Sequence, residues 1–72
     1  MTQITLQSEV TGTVWKVEVR EGDAVAAEQT LVVLESMKME IPLVAPRAAT
    51  VLRLLAQEGE AVSEGQDLVV LG

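Results

Sequence analysis

Apolar and polar residues alternate in short runs along this chain, in "ITL" (Ile4–Leu6), "WKVEV" (Trp15–Val19) and "IPLV" (Ile41–Val44). A period of two puts successive side chains on opposite faces of an extended segment, so each run predicts a half-buried strand. The runs are separated by "EGD" and "EGE", where Gly22 and Gly59 can adopt the positive φ that a tight turn demands. No segment carries ten residues of helical periodicity. The stretch "TVLRLLAQE" (Thr50–Glu58) could be read as a helix, but an internal comparison argues otherwise.

Shifted by 37 residues, the chain matches itself without a gap. "TVWKVEVREGDAVAAEQTLVVL" (Thr13–Leu34) lies over "TVLRLLAQEGEAVSEGQDLVVL" (Thr50–Leu71), and Ile4 and Leu6 lie over Ile41 and Leu43. Because "TVWKVEVRE" alternates, its partner "TVLRLLAQE" is expected to be a strand as well. The chain therefore reads as a single domain, 1–72, made of two units, 2–35 and 39–72. Two copies are too few for a solenoid, so a closed pair about a pseudo-twofold axis is expected. Lys38 stands at the joint. The strand ending at Leu34 continues through "ESMKME" into the strand at Ile41, whereas the matching strand ends at Leu71. This asymmetry predicts that Lys38 occupies an exposed hairpin tip, far from both chain ends. Pro42 cannot donate a ladder hydrogen bond and predicts an edge strand.

Composition narrows the chemistry. Of the 72 residues 49% are hydrophobic, nearly all aliphatic, which suits strands. Trp15 is the only aromatic residue. Its counterpart is Leu52, so packing is its expected role. Cysteine and histidine are absent, which excludes disulfides, thiolate or His-based metal sites and a His-based catalytic triad. No metal site and no catalytic residue are expected; the carboxylates of the "EGD" and "EGE" turns stand singly, unlike a calcium loop. A net charge of −6 argues against nucleic acid and anionic membrane as partners and favours a soluble monomer. The apolar runs are too short to span a bilayer, and the first residues lack the shape of a signal peptide, so a cytoplasmic protein is expected.

The segment "VVLESMKMEIP" (Val32–Pro42) holds the candidate site. A lysine on a turn is ordinarily a solvated charge. Here Met37 and Met39 flank it, and two methionines at a protruding tip call for a reason such as recognition by a partner; the alternative is that both fold back into the core.

"ESMKMEIP" resembles the attachment motif of the biotin carboxyl carrier (biotin/lipoyl attachment) family, in which the lysine between two methionines is biotinylated. The repeated strand–"EGD/EGE"–strand pattern, and Gly12, Gly22, Gly59 and Gly65, are similar to the same family over nearly all of the chain. The resemblance implies an all-β flattened barrel, a barrel-sandwich hybrid of two four-stranded antiparallel sheets. It implies biotin joined covalently to Lys38, with Met37 and Met39 beside it. It implies that a biotin protein ligase makes that amide, and that the loaded domain then shuttles CO2 as carboxybiotin between a biotin carboxylase and a carboxyltransferase. The domain itself is then a non-catalytic carrier. Glu35 and Glu40 would help the ligase recognise the hairpin by charge, or serve solubility alone. The chain departs from the family in having Ala49 and Glu28 where glycine is usual, which puts the local turn geometry at issue. The repeat aligns without a gap from residue 2, so neither the thumb insertion nor the Pro/Ala-rich linker of some bacterial carriers is expected, and the chain resembles the short, free-standing ones. A lipoyl carrier, usually with Asp-Lys-Ala at its lysine, and an unmodified interaction module are the alternatives on the same fold. The acceptor to be carboxylated would be chosen by the carboxyltransferase.

Overall fold

The computed structural model describes residues 3–72, and every regular element among them is a strand. In chain order they are β1 (Ile4–Gln7), β2 (Gly12–Val17), β3 (Ala24–Val25), β4 (Thr30–Ser36), β5 (Met39–Val44), β6 (Ala49–Leu54), β7 (Ala61–Val62) and β8 (Asp67–Leu71). They form two four-stranded sheets, ordered β1-β8-β6-β3 and β5-β4-β2-β7, with antiparallel pairing throughout. This is the expected all-β, two-sheet architecture. "TVLRLLAQE" is indeed extended in its first half, as β6. Pro42 lies on β5, at the edge of its sheet, where its missing N–H costs no ladder bond.

Positions 37 apart occupy equivalent places in the two sheets. Leu34 pairs with Ile41 across β4 and β5, and Leu71 pairs with Ile4 across β8 and β1. Gly12 and Thr13 of β2 pair with β7, and Ala49 and Thr50 of β6 pair with β3. Each sheet thus takes strands from both halves of the chain, and neither half can close a core by itself. The largest fully buried side chains fall into four matched pairs: Val14 and Val51, Leu31 and Leu68, Val32 and Val69, Leu34 and Leu71. Burying each is worth about 1.5–3 kcal/mol relative to exposure. Ile41 and Leu43 of β5, and Ile4 and Leu6 of β1, pack against this core from the edges.

The two acidic turns tie one half to the other. Gly22 and Gly59 take φ of 94° and 86°, which side chains rarely adopt. The Gly22 N–H donates to the Val51 carbonyl (2.7 Å) and the Gly59 N–H to the Val14 carbonyl (2.8 Å). The Glu21 carboxylate accepts from the Leu54 N–H, and the Glu58 carboxylate from the Val17 N–H, both at 3.0 Å. Each carboxylate therefore satisfies the last backbone donor of the strand in the opposite half.

The two departures from glycine resolve differently. Glu28 keeps the left-handed backbone of its counterpart: φ is 69° at Glu28 and 85° at Gly65, and both N–H groups donate to equivalent carbonyls, of Ala45 (2.7 Å) and Ser8 (2.8 Å). Ala49 sits in β6 without any special φ. The expectation for Trp15 is corrected. Both β2 and β6 carry a bulge, between Val14 and Lys16 and between Val51 and Arg53. The extra residue is Trp15 in one and Leu52 in the other, and both face outward, 51% and 41% exposed. An extra residue breaks the alternation, so apolar character no longer implies an inward side chain.

Candidate functional site

The β4–β5 ladder runs from Thr30 and Val44 to a last rung of Ser36 and Met39, leaving only Met37 and Lys38 to turn the chain. Their φ values are 52° and 66°. Positive φ at both central residues is the requirement of a type I′ turn, whose twist matches that of the flanking strands. Asn-Gly is the favoured sequence there, and non-glycine residues in this region cost of order 1–3 kcal/mol each. Met-Lys is thus no spontaneous turn former. The rungs of β4 and β5, anchored in the core by Leu34 and Ile41, impose the turn.

A tip made this way projects its side chains. Met37 is 92% exposed, Met39 65%, and Lys38 is exposed between them. Neither methionine folds back into the core. Glu35 and Glu40 face each other on the rung below, both exposed. Like charges directly opposite each other on a ladder oppose its formation. An open groove of about 550 Å³ lies between the edge strands β1 and β5, lined by residues such as Leu6, Gln7, Pro42 and Leu43. None of Met37, Lys38 and Met39 lines it. The lysine therefore stands in the open at the tip, away from this groove. No group of three or more His, Cys, Asp or Glu residues suited to a metal occurs among the described residues.

The root of the hairpin is clamped by features that the sequence did not disclose. A Cβ at Gly12 would overlap the Glu35 carbonyl oxygen and stand 3.2 Å from the Ser36 Cβ, so only glycine admits so close an approach. The Ser36 hydroxyl donates to the Thr11 carbonyl at 3.0 Å, and the Thr11 hydroxyl accepts from the Glu64 N–H at 3.1 Å. Ser36 belongs to the quoted motif and Gly12 to the glycine spacing, but nothing in one dimension says that they meet. The glycine spacing was the only available signal.

A family model described as "Biotin-requiring enzyme" matches residues 3–71. The chain is 46% identical, over 48 residues, to a biotin/lipoyl attachment protein of Bacillus subtilis; the match covers 67% of this chain and 66% of that protein. Among solved structures it is similar to a single-chain, multi-domain long-chain acyl-CoA carboxylase (39% identity, TM-score 0.90, 96% of this chain and 7% of that one). It is also similar to the urea carboxylase of Kluyveromyces lactis (30% identity, TM-score 0.91, 100% of this chain and 6% of that one). The chain thus spans just under two thirds of the first relative and a small part of each carboxylase.

Proposed function

The chain belongs to the biotin/lipoyl attachment family, and from that premise we propose that residues 1–72, built from units 2–35 and 39–72, are one carrier domain biotinylated on Lys38. The observation that carries this reading is a lysine at the apex of a two-residue turn between two exposed methionines. The site fits the group. No side chain covers Met37, so a bulky acyl group can be joined to the neighbouring amine without displacing protein.

In this reading a biotin protein ligase supplies the acyl-adenylate. The Lys38 Nζ, deprotonated in the ligase's site, attacks the acyl carbon. A C–N bond forms as the bond to the AMP oxygen breaks, and one amine proton is released. Met37 and Met39 give the ligase an adaptable apolar grip on either side of the lysine, and Glu35 and Glu40 present it with negative charge. Biotin, once bound, supplies the ureido nitrogen on which CO2 travels from a biotin carboxylase to a carboxyltransferase. The domain contributes reach and effective concentration, and a rigid tip loses less freedom on docking than a loose tail. It is a non-catalytic monomer of the cytoplasm until it meets these partners. The matched carboxylase structures, in which the similar segment is a small part of a long chain, support this role.

The test is the intact mass of the protein after incubation with a biotin protein ligase, biotin and ATP, followed by fragmentation. The chain has two lysines, Lys16 and Lys38. One biotinyl increment on Lys38 and none on Lys16 is the expected result. An unlabelled protein, or a lipoyl group on the protein from its native host, overturns the proposal.

A further inference from the structure

The two sheets serve as controls for each other. They share one fold, so an outward-facing position that differs between them is not dictated by folding. On the sheet that bears Lys38, Trp15, Val33, Pro42 and Val44 face outward across β2, β4 and β5. Their counterparts on the other sheet are Leu52, Val70, Thr5 and Gln7. One face is therefore apolar along its edge strand, at Pro42 and Val44, where the other is polar, at Thr5 and Gln7. Lys16 and Arg53, paired with Val33 and Val70 on the two faces, carry the same charge and do not distinguish them. Toward the tip this face is bordered by Glu35 and Glu40, whose counterparts, Gly72 and Gln3, carry no charged side chain.

We infer that this outer face, from Trp15 on β2 to Pro42 and Val44 on β5, is the surface on which the biotin protein ligase docks; the inference rests on the reading of Lys38 given above. Among the partners of a carrier, the ligase acts on the lysine amine itself. Its surface must come within one lysine side chain of the hairpin, whereas enzymes that act on the far end of a loaded arm can stand off by the added length. The Val33–Pro42 rung lies three rungs from the Ser36–Met39 rung, about 10 Å along the strand. A specific interface takes about 800 Å² from each partner, more than a two-residue tip can offer, so the contact must extend to a neighbouring surface. The inner face of this sheet is sealed by the core. The outer face is apolar where it must be desolvated and acidic where it meets the tip. The complementary ligase surface is an apolar recess for the indole and the proline, with basic side chains opposite Glu35 and Glu40.

The test exchanges one face for the other. A Trp15→Leu, Pro42→Thr, Val44→Gln variant places on the hairpin sheet the residues that the second sheet already tolerates. Steady-state labelling of Lys38 by a purified bacterial biotin protein ligase with biotin and ATP is followed by mass. The expected result is a roughly tenfold or greater fall in kcat/KM, carried by KM with kcat retained, and an unchanged unfolding midpoint. Trp15→Leu alone gives a smaller loss of the same kind, and serves if the triple variant is unstable. Leu52→Thr, on the other sheet, leaves labelling unchanged. Wild-type kcat/KM in both variants overturns the inference. So does an equal loss in Leu52→Thr, or a wild-type dimer in sedimentation that the triple variant abolishes, which would give the face to a second copy. A wild-type protein that is never labelled overturns the reading of Lys38 and this inference together, whereas normal wild-type labelling with indifferent variants removes this inference alone.

Discussion

The β4–β5 hairpin and the β8–β1 pairing start from the same rung and end differently. Leu34 opposes Ile41 in one, and Leu71 opposes Ile4 in the other, each leucine fully buried. Beyond that rung the second pairing joins strands distant in sequence, while the first runs on through Glu35 and Ser36 into the Met37–Lys38 turn. The same difference appears one strand away. Gly12 lies against the Glu35 carbonyl, where no Cβ fits. At the matching place Ala49 is accommodated, and Gly72, the counterpart of Glu35, exchanges N–H···O bonds of 2.8 and 2.9 Å with Thr50. What the halves share builds the core. What they do not share lies at the tip, at its root and on the outer faces, so that scaffold and site are separated along the same set of strands.

The comparison can be broken most sharply at Lys38. Lys38→Arg keeps the charge and the turn but removes the primary amine, so labelling by ligase is expected to vanish while the unfolding midpoint stays. A labelled Lys38→Arg protein would erase the difference between the hairpin and its counterpart. Next in size, Gly12→Ala forces the added methyl against the Glu35 carbonyl and is expected to cost about 1–3 kcal/mol, read from urea unfolding. Ala49→Gly should cost under about 1 kcal/mol, the ordinary price of glycine in a strand. Equal costs would mean that the hairpin root is no tighter than its counterpart. The acidic turns should behave alike instead: Glu21→Ala and Glu58→Ala each remove one acceptor from a backbone N–H, for about 0.5–1.5 kcal/mol apiece. A large inequality would show that the two halves are not equivalent even where their hydrogen bonds match. The smallest effect concerns the left-handed pair. Glu28→Gly should stabilise by about 1 kcal/mol or less, because glycine relieves the steric cost of φ near 69° but adds freedom to the unfolded chain. Destabilisation by Glu28→Gly would show that the Glu28 side chain contributes contacts its counterpart Gly65 lacks.

Much of this molecule was legible in one dimension because duplication leaves an arithmetic trace. The offset of 37 residues pairs the buried leucines and valines, identifies β6 as a strand despite its helical look, and puts Lys38 where the match between the halves is interrupted. Pro42 announced an edge because a missing N–H is a property of the residue alone. Trp15 was misread because the bulge that turns it outward lies in the register between β2 and β4, and register is a relation between strands.

By itself, then, the sequence determined that the strands are short and doubled, which positions of the two halves correspond, and which lysine stands at the joint. These follow from hydrophobic period, backbone chemistry and internal repetition, all local or self-referential properties. Tertiary structure decided that Met37 and Lys38 hold a strained two-residue turn, that Gly12 is the notch beneath Glu35, and that Glu21 and Glu58 cap strands of the opposite half. Each of these depends on how close two distant segments come, and that distance is set by the packing of two sheets around one core.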